Sequence, residues 1–268
     1  CRMRIEKLPS SLVALLVLVC CHHPGFAQRA VAISDSVPQY IFSFGEIEYL
    51  EDTGDTLSVA DVSSAPYASQ FTPSAAFSPQ NYNRSASYWY RIRMQHNPES
   101  RFQWQLEFFD QTIDQLDFFI PLGENRFVRQ SFGDNLPFHA RPIRHKNFFV
   151  KLPQNGGAIQ TYYFRIQSRQ QANVLIVLRT ADYFINYALD EYFFFGIFYG
   201  MILVFCFYNL LMFAAVRERH YIYYILYLVS IGLYEMSADG IAYQYLWPTE
   251  TAWNQYAAGF MLYFASTF

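Results

Sequence analysis

The sequence contains few cysteines, and their positions exclude one kind of fold. Only four of its 268 residues are cysteine: Cys1, Cys20, Cys21 and Cys206. The long segment between Cys21 and Cys206 therefore has no disulfide framework. Because small secreted domains often rely on such frameworks, this segment must instead be stabilised by an ordinary hydrophobic core.

Charge is also scarce, above all in the C-terminal part. The 19 Lys and Arg and 22 Asp and Glu residues give a net charge of −3, and no basic cluster accompanies a nucleic-acid-binding motif, so nucleic acid is not expected as a partner. After Glu191 the charged residues are Arg217, Glu218, Arg219, Glu235, Asp239 and Glu250. Such a low density of charge indicates a lipid environment.

Motifs for catalysis and for cofactors are missing as well. The sequence has no phosphate-binding glycine loop, no Cys/His spacing for a metal, no nucleophile elbow and no kinase motif. Asp110, Asp114 and Asp117 do not fit the spacing of a calcium loop, and Asp117 is expected to be an exposed strand residue. We therefore expect no enzyme, no cofactor and no metal site in this chain.

Residues 1–27 are typical of an export signal. Arg2, Arg4 and Lys7 precede an apolar run over 12–21, and Ala27 ends a stretch that suits signal cleavage. The alternative is a membrane anchor, but the apolar run would reach only about 15 Å as a helix, half of a hydrocarbon core. The sequence thus predicts a signal peptide that is removed after Ala27.

Between residues 38 and 182 the dominant hydrophobic period is two. Leu106 and Phe108, for example, alternate with Gln105 and Glu107, which predicts a strand with one face in a core and the other in water. About eight such runs are separated by turn residues without intervening helical patterns. The sequence therefore predicts an all-β, jelly-roll-like sandwich that folds outside the cell.

The alternation stops where a long apolar run begins. Tyr192–Val216 comprises 25 residues without a formal charge, and as a helix it would span about 37 Å, enough to cross a bilayer. Arg217 and Arg219 follow directly, and the positive-inside rule places this short basic corner in the cytoplasm. A second crossing is expected over 221–240 and the beginning of a third over 255–268, so the chain is expected to lack further helices of its bundle.

Several motifs resemble those of a known family, the bacterial seven-transmembrane receptors with diverse intracellular signalling modules. In the helical part the resemblance lies in Tyr199-Gly200, Tyr208-Asn209-Leu210, the Arg217–Tyr221 corner, Gly240 and Tyr245-Leu246-Trp247-Pro248. In the upstream part it lies in Tyr88–Arg91, Leu116–Pro121, Arg141-Pro142-Ile143, Asn147-Phe148 and Thr161–Arg165, which resemble the type-2 extracellular domain of that family. The sequence departs from the family in lacking a glycine just before the Trp89 strand.

The resemblance implies a carbohydrate-binding-like sensor in the periplasm and, over 191–268, two helices and part of a third of a seven-transmembrane domain in the bacterial inner membrane. Complete members of the family continue into a cytoplasmic output module, such as a histidine kinase or a diguanylate cyclase. The partners implied are the lipid bilayer and a carbohydrate or other small extracytoplasmic ligand. The sequence leaves open whether the receptor is a homodimer.

Four residues of the extracytoplasmic half are candidate ligand-binding residues. Arg141, Arg144 and His145 could present a cationic, hydrogen-bonding surface to a sugar or a carboxylate. The alternatives are a solvated loop and a structural arginine that pairs with a backbone carbonyl. Trp89 could stack on a sugar ring, although alternating aromatic residues such as Trp104 and Tyr163 more often belong to a core.

Two polar residues lie within the expected membrane segments. Asn209 is expected to form an interhelical hydrogen bond, because an unpaired amide is unfavourable in lipid. Glu235 is either a functional membrane acid or an interfacial carboxylate that reaches the outer headgroups. Both alternatives for Glu235 stay open at the level of sequence.

The function that these patterns favour is the sensing and membrane part of a transmembrane signalling receptor. The alternative is a transporter or channel whose exported domain delivers a substrate, which would require broken helices and intramembrane charges further along the chain. An anchored secreted enzyme is a third class, and the sequence offers no catalytic constellation for it.

Overall fold

A computed structural model describes residues 30–123, 126–154 and 157–268 of the chain. The predicted signal peptide, residues 1–27, lies outside the described residues. The strands are β1 Val31–Ala32, β2 Gln39–Ile41, β3 Glu48–Asp52, β4 Thr72–Pro73, β5 Ser87–Gln95, β6 Trp104–Phe108, β7 Gln115–Pro121, β8 Phe127–Phe132, β9 Phe148–Lys151, β10 Ile159–Gln167 and β11 Ile176–Thr180. Three of these eleven strands are only two or three residues long, which is why the sequence pattern shows fewer.

The strands form two sheets that face each other. In the larger sheet the hydrogen-bonded order is β4-β3-β5-β10-β7-β8, and β1 pairs with β5 in parallel. In the smaller sheet the order is β2-β11-β6-β9, with every pairing antiparallel. The predicted sandwich is thus confirmed, while its jelly-roll connectivity stays a prediction.

Aromatic and aliphatic side chains from the inner faces of both sheets form one core. Phe164 lies opposite Tyr90 in the β10–β5 ladder, and their rings stack with centroids 5.2 Å apart. Leu106 and Phe108 reach the same core from the smaller sheet, as the alternation predicts. Burial of such large apolar side chains is the main source of stability for a domain without disulfides.

The expectation that the alternate side chains face water is wrong for both sheets. Gln105 and Glu107, on the outer face of the smaller sheet, are 4% and 0% exposed, and Asp117, on the larger sheet, is 0% exposed. Asp117 is buried because Arg129 Nη2 lies 2.9 Å from its Oδ2 and Ser131 donates a hydrogen bond of 2.7 Å to its Oδ1. Both outer faces are therefore covered by other parts of the chain.

Helices follow the sandwich, and one short helix lies within it. They are α1 Val59–Ser63, α2 Ala181–Val216, α3 His220–Ala238, α4 Ile241–Tyr245 and α5 Thr251–Ala265; three single 3₁₀ turns cover Phe44–Glu46, Tyr67–Ser69 and Phe138–Ala140. The 36 residues of α2 extend about 54 Å, so this helix is longer than a bilayer core is thick. It begins eleven residues before the predicted apolar run.

The helices α2 and α3 form a tight antiparallel pair. Arg217 ends α2 in the left-handed conformation with φ 59°, and Arg219 precedes the first residue of α3. A Cβ atom on Gly232 of α3 would lie 3.4 Å from the side chain of Ile202, so this glycine allows the two helices to approach closely. The predicted basic corner is thus a three-residue connection, and both arginines are exposed.

Candidate functional site at the contact between sandwich and helices

No linker separates the sandwich from the long helix α2. Thr180, the last residue of β11, caps the helix by accepting a hydrogen bond of 3.3 Å from the Tyr183 amide. The Ala181 amide donates a hydrogen bond of 2.9 Å to the Gln103 carbonyl, which holds the first residue of α2 against the sandwich. Residues 182–191, which lie between the predicted sandwich and the predicted membrane segment, are therefore the first three turns of the same helix.

These three turns lie along the outer face of the smaller sheet. The ring of Phe184 packs on that of Phe149 in β9 with centroids 4.2 Å apart. The guanidinium of Arg179 in β11 lies over the ring of Tyr187 at 4.1 Å. The helix thus runs back across the strand that precedes it and covers the polar face that was expected to be in water.

Beneath the helix, Glu107 and Arg179 form a buried ion pair. Asn147 donates a second hydrogen bond to Glu107, 2.6 Å from Nδ2 to Oε1, and Arg179 Nε donates to Gln39 Oε1 at 2.9 Å. Burial raises the pKa of Glu107 to about 7, although Arg179 and Asn147 act in the opposite direction. The carboxyl group is therefore poised to change its charge near neutral pH.

A second ion pair joins the sandwich to the end of these three turns. Lys146 Nζ lies 2.9 Å from Glu191 Oε1, and His145 Nε2 lies 3.4 Å from Glu191 Oε2. His145 Nδ1 accepts a hydrogen bond from the Asn147 amide, so a neutral ring carries its proton on Nε2 and faces Glu191. Burial by itself would raise the pKa of Glu191, but the nearby His145 ring and the Lys146 ammonium group lower it to about 2.

Arg141 holds the loop that carries His145 and Lys146. Its Nη1 donates to the carbonyls of both residues, and its guanidinium lies over the rings of Phe138 at 4.6 Å and Phe148 at 4.4 Å. Arg141 is 8% exposed. It therefore has a positioning role in the contact between sandwich and helix.

The three predicted cationic ligand-binding residues do not share one open surface. His145 is buried against Phe184 of α2, Arg141 is buried with its guanidinium 5.9 Å from the ring of Tyr243 in α4, and Arg144 is exposed. The Arg144 carbonyl accepts a hydrogen bond of 3.5 Å from Gln244 Nε2 of α4. Ligand binding by this loop stays a prediction, and its placement supports a mechanical role.

Trp89 lies in a smaller apolar cluster on the outer face of the larger sheet. It is 1% exposed and stacks on Phe119 with centroids 5.3 Å apart, and Val62 of α1 and Phe71 belong to the same cluster. Trp89 therefore belongs to a core, as alternating aromatic residues more often do.

The polar residues of the membrane segment find local partners. Asn209 donates to the Phe205 carbonyl of its own helix at 2.8 Å, whereas an interhelical bond was expected. Glu235 is half-buried and lies one turn before the end of α3 at Ala238. This position is compatible with a functional membrane acid and with an interfacial carboxylate, so both alternatives for Glu235 stay open.

The outer ends of α3 and α4 also dock on the sandwich. Gln111 donates a hydrogen bond to the Ala238 carbonyl, and the Tyr243 hydroxyl donates to the Leu136 carbonyl at 2.7 Å. Gly240, between these helices, has φ +75°, and a Cβ atom there would lie 3.2 Å from Gln111. Only glycine fits this position well, because both the backbone conformation and the close approach disfavour a side chain.

Comparison with protein families gives two adjoining matches. Residues 45–180 match the family model described as "7TMR-DISM extracellular 2", and residues 191–268 match the one described as "7TM diverse intracellular signalling". The chain belongs to the 7TMR-DISM family. No curated protein matches it. As a 7TMR-DISM protein it is a membrane protein with an extracellular sensor domain followed by a transmembrane signalling domain, which confirms the predicted resemblance.

Among the described residues of this 7TMR-DISM chain, α2 is the single helix that is both long and apolar enough to span a membrane. Its large apolar side chains are mostly exposed, Leu203 and Val204 at 70% and 67%. Exposed side chains of this kind belong in lipid or against other helices. That α3 and α5 also cross the membrane stays a prediction.

Sequence reasoning missed most residues of this contact, including Glu107, Arg179 and Glu191. Strand alternation assigns the first two to a water-facing surface, and the sequence pattern gives Glu191 no partner. One signal was available, since the sequence has neither glycine nor proline between residues 175 and 195. Because glycine and proline mark most turns and loops, their absence here indicates that the strand passes directly into the helix without a flexible linker.

Proposed function

We propose that this chain is the ligand-sensing and membrane-spanning part of a bacterial receptor that controls a cytoplasmic output module of the histidine kinase or diguanylate cyclase type. The sandwich binds a carbohydrate or another small ligand outside the inner membrane, and the helices carry the change across it. The observation that carries the proposal is the continuity of α2, which packs on the sheet over Ala181–Glu191 and then enters the apolar segment without a break.

Transmission through α2 follows from the stiffness of a helix. The first eleven residues extend about 16 Å along the sheet, and the 25 apolar residues after them extend about 37 Å. Because the sheet grips the helix through Arg179, Phe149 and Lys146, a shift of strands β9 or β11 moves α2 as a rigid body. Because the ion pairs between the sandwich and α2 form only in certain geometries, we expect α2 to occupy a few discrete positions on the sheet rather than a continuous range.

The ligand is placed at the end of the sandwich that faces away from the helices. There a cavity of about 260 Å³ is lined by Ser63, Pro121, Gly123, Arg126, Phe127, Gln160, Thr161 and Tyr163. Arg126 is exposed and Phe127 half-buried, so the cavity offers a multidentate donor beside an aromatic ring. Sugars are recognised by such combinations of hydrogen bonds and apolar ring faces.

The first test joins ligand binding to the state of α2. The chain in detergent micelles is screened on a glycan array, and hydrogen exchange of residues 181–191 is measured with and without the best glycan. We expect binding that is at least about tenfold weaker in Arg126→Ala, a loss of about 1.4 kcal/mol or more, and unchanged in Arg84→Ala, which removes another exposed arginine. Glycan binding that leaves exchange in 181–191 unchanged would contradict transmission through α2.

The second test concerns orientation. We propose that the corner at Arg217 and Arg219 lies in the cytoplasm, as the positive-inside rule requires. A reporter that fluoresces only in the cytoplasm, fused after His220, should be bright, and a phosphatase active only in the periplasm should be inactive at the same position. The opposite pattern would overturn the orientation and with it the proposed direction of signalling.

A further inference from the structure

A cavity of about 440 Å³ lies between the sandwich and the outer ends of α3 and α5, and we name it the junction cavity. Its walls come from both domains, and they include Asp134 and Arg141 on the sandwich side and Tyr243, Tyr256 and Phe260 on the helix side. Its volume falls within the usual range for small-molecule sites, roughly 300–1,000 Å³.

Two side chains of this wall, Asp134 and Arg141, each have one buried atom without a hydrogen-bond partner among the described residues, and Asp134 is the acidic one. It is 3% exposed, and its backbone amide donates to the Ile113 carbonyl at 3.0 Å, so the residue is fixed in place. Its Oδ1 atom has no hydrogen-bond partner among the described residues. A buried carboxylate oxygen without a partner is destabilising, and in a native protein it indicates a bound water, a bound proton or a bound ligand.

The nearby cations are engaged elsewhere. Arg169 Nε lies 3.0 Å from Asp114 Oδ2, and Arg169 Nη2 donates to Gln255 at 2.9 Å. Arg141 donates to two loop carbonyls and lies over aromatic rings. Within the described part of the chain neither arginine forms an ion pair with Asp134. Asp134, with Asp114 close by and the two arginines near but not in direct contact, therefore has an oxygen that can accept a hydrogen bond from a positively charged guest.

The rest of the wall suits an organic cation rather than a metal ion. Tyr256 and Phe260 of α5 are 67% and 51% exposed and present aromatic surface, which attracts ammonium groups. No group of three His, Cys, Asp or Glu side chains that could hold a metal ion occurs in the described residues. We propose that the junction cavity binds a small organic ammonium compound, with its N–H group on the Asp134 carboxylate and its carbon skeleton on Tyr256 and Phe260.

Such a ligand would act on the contact between the two domains. Because both domains line the cavity, a bound amine stabilises the docked arrangement by mass action. The proposal does not depend on the sugar ligand of the sandwich, so either can fail without the other. It adds a second input to the receptor, placed next to the helices rather than at the far end of the sandwich.

Binding of the amine should be linked to a proton. Burial, and then repulsion by Asp114, raise the pKa of Asp134 to about 7, against the opposing effects of Arg141, Gln255 and Arg169. On the helix side the titratable groups lining the cavity are Tyr243 and Tyr256; burial raises the pKa of Tyr243 to about 12, so its hydroxyl stays neutral. Below pH 7 the amine must therefore displace a proton from the Asp134 carboxyl group when it binds.

The test uses the whole chain in detergent and isothermal titration calorimetry with 2-phenylethylamine, against 2-phenylethanol as the uncharged analogue. We expect saturable binding of the amine and none of the alcohol at pH 7.5. The dissociation constant should rise about tenfold for each pH unit below 7, since one proton is displaced. Asp134→Asn should weaken binding at least about tenfold, or about 1.4 kcal/mol, whereas Glu99→Gln, an exposed acid in a distant loop, should not.

A measurement on the wild-type chain covers the case in which Asp134→Asn does not fold. Titrations at pH 6 in two buffers with different ionisation enthalpies should show about one proton released for each amine bound. The proposal is overturned by equal binding of the alcohol, by full binding in folded Asp134→Asn, by binding without proton release at pH 6, or by no saturable binding of the amine. An unchanged glycan response in such a case would leave the proposed receptor function intact.

Discussion

The two outer faces of the sandwich are both covered, but by different chemistry. On the larger sheet, Trp89, Phe119 and Tyr163 pack against Val62 and Phe71 from the neighbouring α1 segment. On the smaller sheet the cover is the long helix α2, which lies over a buried ion pair of Glu107 and Arg179. The first cover is mainly apolar and local, although it also includes the buried ion pair of Arg91 and Glu48. The second is partly ionic and continues into the membrane.

The continuation of α2 into the apolar segment indicates that the smaller sheet is the face from which a movement can be transmitted, while the larger sheet is covered by a local segment. Apolar packing is non-directional and gains stability in proportion to buried area. A buried ion pair contributes little net stability compared with an apolar pair, yet it becomes strongly destabilising when one partner is lost. A helix held by such pairs therefore has a few allowed positions with unfavourable positions between them, which is what a two-state transmitter requires.

Removing the apolar cover should have the largest effect. Trp89→Ala is expected to destabilise the sandwich by about 3–5 kcal/mol, because it empties a buried site that a large ring fills. Denaturant unfolding of the chain in detergent, followed by near-UV circular dichroism, measures the change. Tyr82→Ala, at a residue 71% exposed, should stay within about 0.5 kcal/mol. A small effect at Trp89 would mean that its ring is not part of a packed core.

Breaking the ionic cover should have a slightly smaller and more local effect. Arg179→Met leaves Glu107 buried without its cation, and we expect a loss of about 3 kcal/mol. Hydrogen exchange over 181–191 should rise well before the rest of the sandwich opens, in contrast to Trp89→Ala. The control is Arg84→Met, which removes an exposed arginine and should change the stability by less than about 0.5 kcal/mol. If Arg179→Met and Trp89→Ala both lost protection from hydrogen exchange uniformly over the sandwich, the two faces would not differ.

The pH dependence should separate the two covers further. Because the pKa of Glu107 is raised to about 7 in the folded chain, the folded state holds a proton that the unfolded state releases near pH 4.5. Stability from this group is therefore present at low pH and is lost as the pH rises from about 5 through 7, by about 1–3 kcal/mol. Glu107→Gln should flatten that part of the curve.

His145 acts in the opposite direction and has to be separated from Glu107. Burial lowers the pKa of His145, so its neutral form stabilises the fold above about pH 6.5 and this contribution is lost as the pH falls below it. The difference between the wild-type and Glu107→Gln curves cancels the histidine term. A difference that does not vary between pH 5 and 8 would show that Glu107 keeps its charge throughout.

Sequence patterns predicted the sandwich and its core, but not the contact with α2. Period-two alternation assigns Leu106 to the core correctly, because a strand's inner face depends on local hydrophobicity alone. It fails for Glu107, because whether an outer face is wet depends on an element that packs there from another part of the chain. Arg141 and His145 were singled out for their chemistry, and only the fold shows that they face the helices rather than an open surface.

The smallest expected effect belongs to Arg144. It is exposed beside two buried neighbours, so Arg144→Ala should change stability by less than about 0.5 kcal/mol, whereas Arg141→Ala removes the donor to two loop carbonyls and should loosen the contact with Glu191. The measurement is hydrogen exchange over 181–191, combined with the glycan screen. If Arg144→Ala abolished glycan binding while exchange stayed unchanged, the cationic loop would be the ligand site after all, and the face toward the membrane would serve sensing as well as transmission.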